Sequence, residues 1–165
     1  MIGEKVVSVN TYSLRYSFNQ RFNAPAKQAF DWCTDYTPQD LSLMKESGER
    51  RIRRLTGDTI ILTETTQSKG QSIKKTKVVR LNPDQLSWTS THLSGPYKHS
   101  QFLYRIVAER KSESRLYFTG LILRYSSRRL NKHQLRRIAE SERRADSRAW
   151  KHLAVAMGKD FSLNR

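Results

Sequence analysis

The chain of 165 residues has a single cysteine, Cys33, and that scarcity already removes several classes of protein. No internal disulfide can form, and no CxxC pair exists to hold a structural zinc. No stretch approaches the roughly 18 apolar residues of a membrane-spanning helix. The opening residues, Met1-Ile2-Gly3-Glu4-Lys5-Val6-Val7, lack the apolar core of a secretory signal, so a reduced, cytoplasmic setting is the expectation. The seven glycines are scattered one per turn, and no Gly-rich phosphate loop, GxSxG elbow or Cys–His dyad can be read. Hydrolase and nucleotide-dependent chemistries therefore have no support. Four histidines, His92, His99, His133 and His152, show neither i, i+4 nor HExxH spacing, so neither a metal nor a cofactor is expected.

Acidic residues are the other scarcity. Fifteen Asp/Glu face 31 Lys/Arg, a formal net charge of +16. Residues 1–49 carry five bases and six acids, summing to −1, whereas residues 50–165 carry 26 bases and nine acids, summing to +17. Such asymmetry attracts an anionic partner, whether nucleic acid, an acidic membrane surface or an acidic ligand.

What is present is a set of short patterned runs. Only 36% of residues are hydrophobic, but they recur in alternation, which a disordered chain would not show. From Ser13 to Phe22, Leu14, Tyr16, Phe18 and Phe22 share one face of a strand. Asn23-Ala24-Pro25 reads as a capping Asn followed by Pro, and 26–33 as a short helix. Thr37-Pro38 repeats the signal before a second short helix over 39–44. Six strand-like runs follow, 50–55, 59–67, 72–81, 85–93, 98–110 and 115–125, with turn residues between them. Short turns imply antiparallel hairpins. Beyond Ser127 the period changes, and an uninterrupted pattern over 128–158 predicts one helix of about thirty residues, roughly 45 Å long. Its stripe runs through Leu135, Ile138, Glu142, Ala145, Ala149, His152 and Ala156, widened by Trp150, Leu153, Met157 and Phe161.

The order strand, two short helices, six antiparallel strands, long C-terminal helix is similar to the START-like (SRPBCC) superfamily, which includes polyketide cyclases/dehydrases and lipid-transfer domains. Tyr16-Ser17-Phe18 leading into Asn23-Ala24-Pro25-Ala26-Lys27-Gln28-Ala29-Phe30-Asp31-Trp32 resembles that family's opening strand and "xAPxxxxFxxxxD" helix start. The resemblance covers about residues 12–161. It implies one α+β helix-grip domain over 1–165, with 1–11 a flexible or edge segment: a seven-stranded curved antiparallel sheet wrapped around the C-terminal helix. It further implies a tunnel between sheet and helix. Strand parity then nominates Tyr16 and Phe18, Leu86, Trp88 and His92, and Phe102, Tyr104 and Ile106 for the sheet wall; 116–125 is apolar on both faces and its parity stays open. The helix would add Ile138, Glu142, Ala145, Ala149 and Met157. The alanines leave space for a ligand, although a close sheet–helix contact uses alanine equally well.

Among polar candidates, His92 reads either as a pocket acid/base or as a strand-end residue bonded to backbone. Glu142 interrupts the apolar stripe, where an unpaired carboxylate is costly. It would orient a ligand or serve as a base, pair with Arg124 or Arg105, or sit on an exposed turn. On the outside, Arg129, Lys132, Arg136, Arg143 and Lys151 form a basic flank, partly neutralised by Glu140 and Asp146. Further basic clusters lie at Arg50-Arg51-x-Arg53-Arg54 and Lys74-Lys75-x-Lys77 with Arg80. The flank is either a solvated face or a surface for RNA or anionic membrane; it lacks the aromatic interleaving of base readout. Three functions follow in order: binding or transport of an apolar lipid, quinone or polyketide-like molecule; a cyclase/dehydratase-type enzyme using His92, Tyr104 and Glu142; and docking on nucleic acid, ribosome or membrane.

Overall fold

The structure is a computed structural model that describes residues 9–37, 39–44, 47–68 and 70–163. Strand β1 (Asn10–Phe22) is followed by helices α1 (Ala26–Thr34) and α2 (Asp40–Leu43). Then come β2 (Gly48–Arg54), β3 (Thr59–Ser68), β4 (Gln71–Asn82), β5 (Ser87–His92), β6 (Gln101–Arg110) and β7 (Glu113–Ser126), and finally α3 (Lys132–Leu163). The strands form one antiparallel curved sheet in the order β1-β7-β6-β5-β4-β3-β2. Because β1 and β2 lie at opposite edges, α1 and α2 carry the chain across, and α3 packs back over the same face. This is the helix-grip architecture that the element order implies.

Each departure from the expected bounds has a definable cause. Strand β1 begins at Asn10, inside the segment expected to be flexible or an edge, because Asn10 and Thr11 pair with Ser126 and Tyr125. Residues 1–8 of that segment lie outside the described residues. Asn23 does not cap α1: Pro25 occupies the cap position and no side chain bonds there. Helix α1 instead gains its place from Ala26, Ala29, Phe30 and Cys33, buried at spacings that put them on one face. Of the second expected cap, Pro38 lies outside the described residues, and Gln39 holds the cap position of α2. The run expected as a strand over 85–93 starts at Ser87, since Leu86 turns left-handed at φ 47° behind the single 3₁₀ turn Pro83–Gln85.

Helix α3 starts at Lys132, not Arg128, for a definable reason. The Asn131 side chain accepts from the Gln134 amide at 2.9 Å, and the Gln134 side chain accepts from the Asn131 amide at 2.9 Å. This reciprocal capping box fixes the first turn. Upstream, the Tyr12 hydroxyl accepts from the Leu130 amide at 2.8 Å. The open parity of β7 resolves through its ladder: Leu116, Phe118, Gly120 and Ile122 face the helix, while Tyr117, Leu121 and Tyr125 are exposed on the convex face.

Two apolar clusters result. One gathers Phe22, Phe30, Ile60, Leu62, Val79, Trp88, Ile106, Leu116 and Met157. The other gathers Leu14, Tyr16, Phe102, Phe118 and Ile122 beneath Leu135 and Ile138. Tyr104 and Trp150 touch both. Between these clusters the interior is not filled.

Candidate functional site

A cavity of about 400 Å³ lies between the sheet and α3, a size suited to a small organic molecule. Its aromatic wall is built on the sheet. Trp88 and Tyr104 are cross-strand partners and stack at 4.7 Å between centroids. Phe102, Phe118 and Tyr16 continue the wall toward β1. On the helix side the lining is Ala145, Asp146, Arg148, Ala149, Trp150, His152 and Leu153. Ala145 is exposed, so its side of the cavity opens to solvent.

Of the residues nominated for binding, Tyr16, Trp88, His92, Phe102, Tyr104, Ala145 and Ala149 line this space. Four do not. Phe18 stacks on Phe118 at 4.6 Å and Ile138 packs on the second cluster. Met157 is wholly buried in the first. Glu142 sits beyond the lining, accepting from the Tyr97 hydroxyl at 2.8 Å with Arg124 4.0 Å away, which is the structural alternative. The polar trio His92, Tyr104 and Glu142 therefore does not converge as a set; His92 and Tyr104 share the cavity and Glu142 stands behind Tyr97.

The structure places a different carboxylate inside. Asp146, expected on the outer flank, turns inward and accepts from the Tyr16 hydroxyl. At 3.6 residues per turn the inward stripe runs through Ile138, Glu142, Asp146, Trp150, Leu153 and Met157, one position round from the stripe traced through Ala145. Burial raises its pKa to about 6; the Tyr16 hydrogen bond opposes the shift and the Glu142 charge adds to it. Desolvation and the same carboxylates push the Tyr16 hydroxyl well above its ordinary value. Asp146 thus titrates near neutrality in a cavity walled by aromatic rings.

At the other end lies a row of charges. Arg50, Glu64 and Lys75 are successive cross-strand partners on β2, β3 and β4. Glu64, 1% exposed, takes Arg50 at 2.7 Å, Lys77 at 3.2 Å and Lys75 at 3.6 Å, and Asp40 takes Arg50 at 2.6 Å. Burial alone would raise the Glu64 pKa, but Lys77, Arg50 and Lys75 outweigh it and bring it down to about 2. Arg50, Lys75 and Lys77 were grouped with the basic surface clusters; period-two alternation instead aims all three inward with Glu64. Glu64 itself carried a legible signal, since it shares parity with the buried Ile60 and Leu62. Tyr97, contributed by the loop after β5, carried none.

His92 lies directly opposite Lys77 in the β4–β5 ladder. Its backbone amide donates to Ser100, but its Nδ1 is buried without a hydrogen-bond partner. Burial, then Lys77 and Lys75, depress its pKa to about 3, so the imidazole is neutral at physiological pH. Outside, Arg129, Lys132, Arg136 and Lys151 are exposed, while Arg143 pairs with Glu140 at 2.8 Å. Among the described residues no cluster of His, Cys, Asp and Glu could hold a metal ion, and no helix is long and apolar enough to cross a membrane.

No family model matches the sequence, and no match is found among curated proteins. Solved structures do match. The Zhui aromatase/cyclase from a Streptomyces species superposes with a TM-score of 0.69 at 13% identity, covering 90% of this chain and 93% of that one. A START superfamily protein from Mycobacterium smegmatis gives 0.64 at 13% identity, over 92% and 99%. Norcoclaurine synthase from Thalictrum flavum, in complex with dopamine and hydroxybenzaldehyde, gives 0.65 at 13% identity, over 100% and 96%. The chain has the START-like (SRPBCC) helix-grip fold, and at these identities the likeness is one of fold.

Proposed function

We propose that this protein binds a small, largely apolar molecule in the cavity between the sheet and α3. The observation that carries the reading is a space of about 400 Å³ held open between two packed clusters, with Trp88, Tyr104 and Phe102 on one side and Ala145 and Ala149 on the other. Larger residues at the alanines would fill the gap, as protein interiors generally do. Native mass spectrometry of protein purified from its own host tests this. A co-purified small molecule is expected, and loss of its mass from an Ala149→Phe variant ties it to the cavity. Mass spectra of the bare chain alone, from several preparations, would count against the reading.

A second reading, proton-transfer catalysis, is favoured by one observation: Asp146 lies in that cavity with a pKa of about 6 and the Tyr16 hydroxyl bonded to it. A carboxylate poised there accepts a proton from a bound molecule more readily than its exposed counterpart, because burial raises its basicity. His92, neutral and buried, would hold the ligand by hydrogen bonding and not as a cation. The test is whether a bound ligand exchanges carbon-bound hydrogen for deuterium with the wild type and not with Asp146→Asn.

A further inference from the structure

We propose that the molecule held in this cavity is a phenol in chemical class, its uncharged hydroxyl hydrogen-bonded between Ser90 and His92 and its ring lying along Trp88 and Tyr104. This rests on the cavity-binding reading and adds the ligand's polar group and its seat.

The seat is marked by unmet hydrogen bonding. Among the described residues, the buried side-chain polar atoms without a hydrogen-bond partner are Ser90 Oγ and His92 Nδ1. Ser90 is 3% and His92 7% exposed, and both line the cavity. They stand two residues apart on β5, so alternation turns both to the same face, about 7 Å apart along the strand. The Tyr104 hydroxyl approaches Ser90 without completing that bond. Buried polar groups are nearly always paired, and an unpaired one costs stability. Two such atoms meeting at one cavity mark where a ligand's polar group completes the set.

Charge decides what that group is. Lys77, opposite His92 in the ladder, is paired with Glu64 at 3.2 Å, and Glu64 also takes Arg50 at 2.7 Å. These ions answer one another. A charged head group beside His92 would be buried without a partner of its own, which costs far more than burying a neutral one. His92 is itself neutral, because burial and then Lys77 and Lys75 depress its pKa to about 3. Among neutral groups, a hydroxyl fits either imidazole tautomer. It donates to a bare Nδ1 or accepts from a protonated one, with the Ser90 hydroxyl taking the complementary role. A ketone only accepts, so it serves one tautomer alone.

The ring follows from the walls. Tyr97 and Phe102 hold the imidazole edge-on, at 5.8 and 5.2 Å between centroids. Trp88 lies on the same face of β5, two residues before Ser90, and stacks with Tyr104. A flat ring on that pair reaches Ser90 and His92 with a substituent on its edge, as a phenolic hydroxyl is.

Equilibrium dialysis of the full chain at neutral pH against 2-naphthol, 2-methylnaphthalene and 2-naphthoate tests the assignment. The probes share one ring body and carry, in turn, a neutral hydroxyl, no polar group and a charged carboxylate. Naphthol should bind at least about tenfold more tightly than either of the others. His92→Leu should bring naphthol and methylnaphthalene to within about threefold, and Ala149→Phe should abolish binding of both. Ser90→Ala carries the same test if His92→Leu does not fold. A smaller preference for naphthol in the wild type, or one that stays larger than that in the folded variant, overturns the hydroxyl assignment while leaving cavity binding intact. Binding of none of the probes, or binding that survives Ala149→Phe, overturns the cavity reading itself.

Discussion

Gly120 lies directly opposite Tyr16 in the β1–β7 ladder, and the tyrosine ring occupies the space a side chain at Gly120 would need. A Cβ built at Gly120 would stand 2.7 Å from Tyr16 Cζ and 3.0 Å from its hydroxyl oxygen. The absent side chain lets the ring lie across β7 and deliver its hydroxyl to Asp146 on α3. One glycine thus sets the position of the one carboxylate that the helix turns into the cavity.

Gly120→Ala should therefore destabilise the fold by about 1–3 kcal/mol, the usual cost of overpacking, and displace the Tyr16 ring. In a Tyr16→Ser background the same change should cost less than about 0.5 kcal/mol, because the obstructing ring is gone. Urea unfolding of the four proteins measures this. Equal costs in both backgrounds would show that the glycine serves some other need.

Asp146 should make stability depend on pH in a definite direction. Its native pKa, about 6, stands above the ordinary 3.8, so its contribution is intact below pH 3.8 and is lost as pH rises through about 6. Asp146→Asn removes that penalty. The variant should gain about 1–3 kcal/mol over wild type at pH 8 and little at pH 4. A stability difference that is the same at both pH values contradicts the assignment.

Glu64 should behave in the opposite sense. Its pKa is held near 2, so the stability it lends is present above its ordinary 4.5 and is lost as pH falls through about 2. Glu64→Gln should cost about 3 kcal/mol or more at pH 7, since it removes the buried charge shared by Arg50, Lys77 and Lys75. The cost should shrink by pH 3. Thermal unfolding at pH 7 and pH 3 reads the difference, and a constant cost would mean that packing, not charge, makes Glu64 important.

On the outer flank of α3, Arg129, Lys132 and Arg136 are exposed on a chain of net charge +16. Binding to single-stranded RNA should appear near about 50 mM salt and weaken linearly in log salt, without base preference. Reversing the three residues to Glu should lower affinity and flatten the salt dependence. Undetectable binding at that salt would remove this surface from consideration as a nucleic-acid interface.

Much of the fold was legible in the sequence because period-two alternation and turn residues are local signals. Strand bounds moved by one to three residues, where Asn10 pairs with the distant Ser126 and where Leu86 turns left-handed after Pro83–Gln85. The cavity wall was partly legible by the same alternation, through Tyr16, Trp88, His92, Phe102 and Tyr104. Its charged end was not, apart from Glu64, whose parity matches the buried Ile60 and Leu62. A buried Glu64–Arg50–Lys77 network looks, residue by residue, like solvated surface, and only cross-strand register brings its members together. Asp146 was missed for a geometric reason: on a 32-residue helix a small error in period rotates the inner stripe by a position. That rotation brings Asp146 into the cavity beside Ala145 and changes the chemistry attributed to the site.

The most direct test of the account is a crystal structure of protein purified from its own host, examined for electron density in the sheet–helix cavity. The account predicts continuous density of a small organic molecule bounded by Trp88, Tyr104 and Ala149, with a polar group toward His92. A cavity filled only by ordered water, or closed by Trp150 or Phe102 swinging into it, would contradict it.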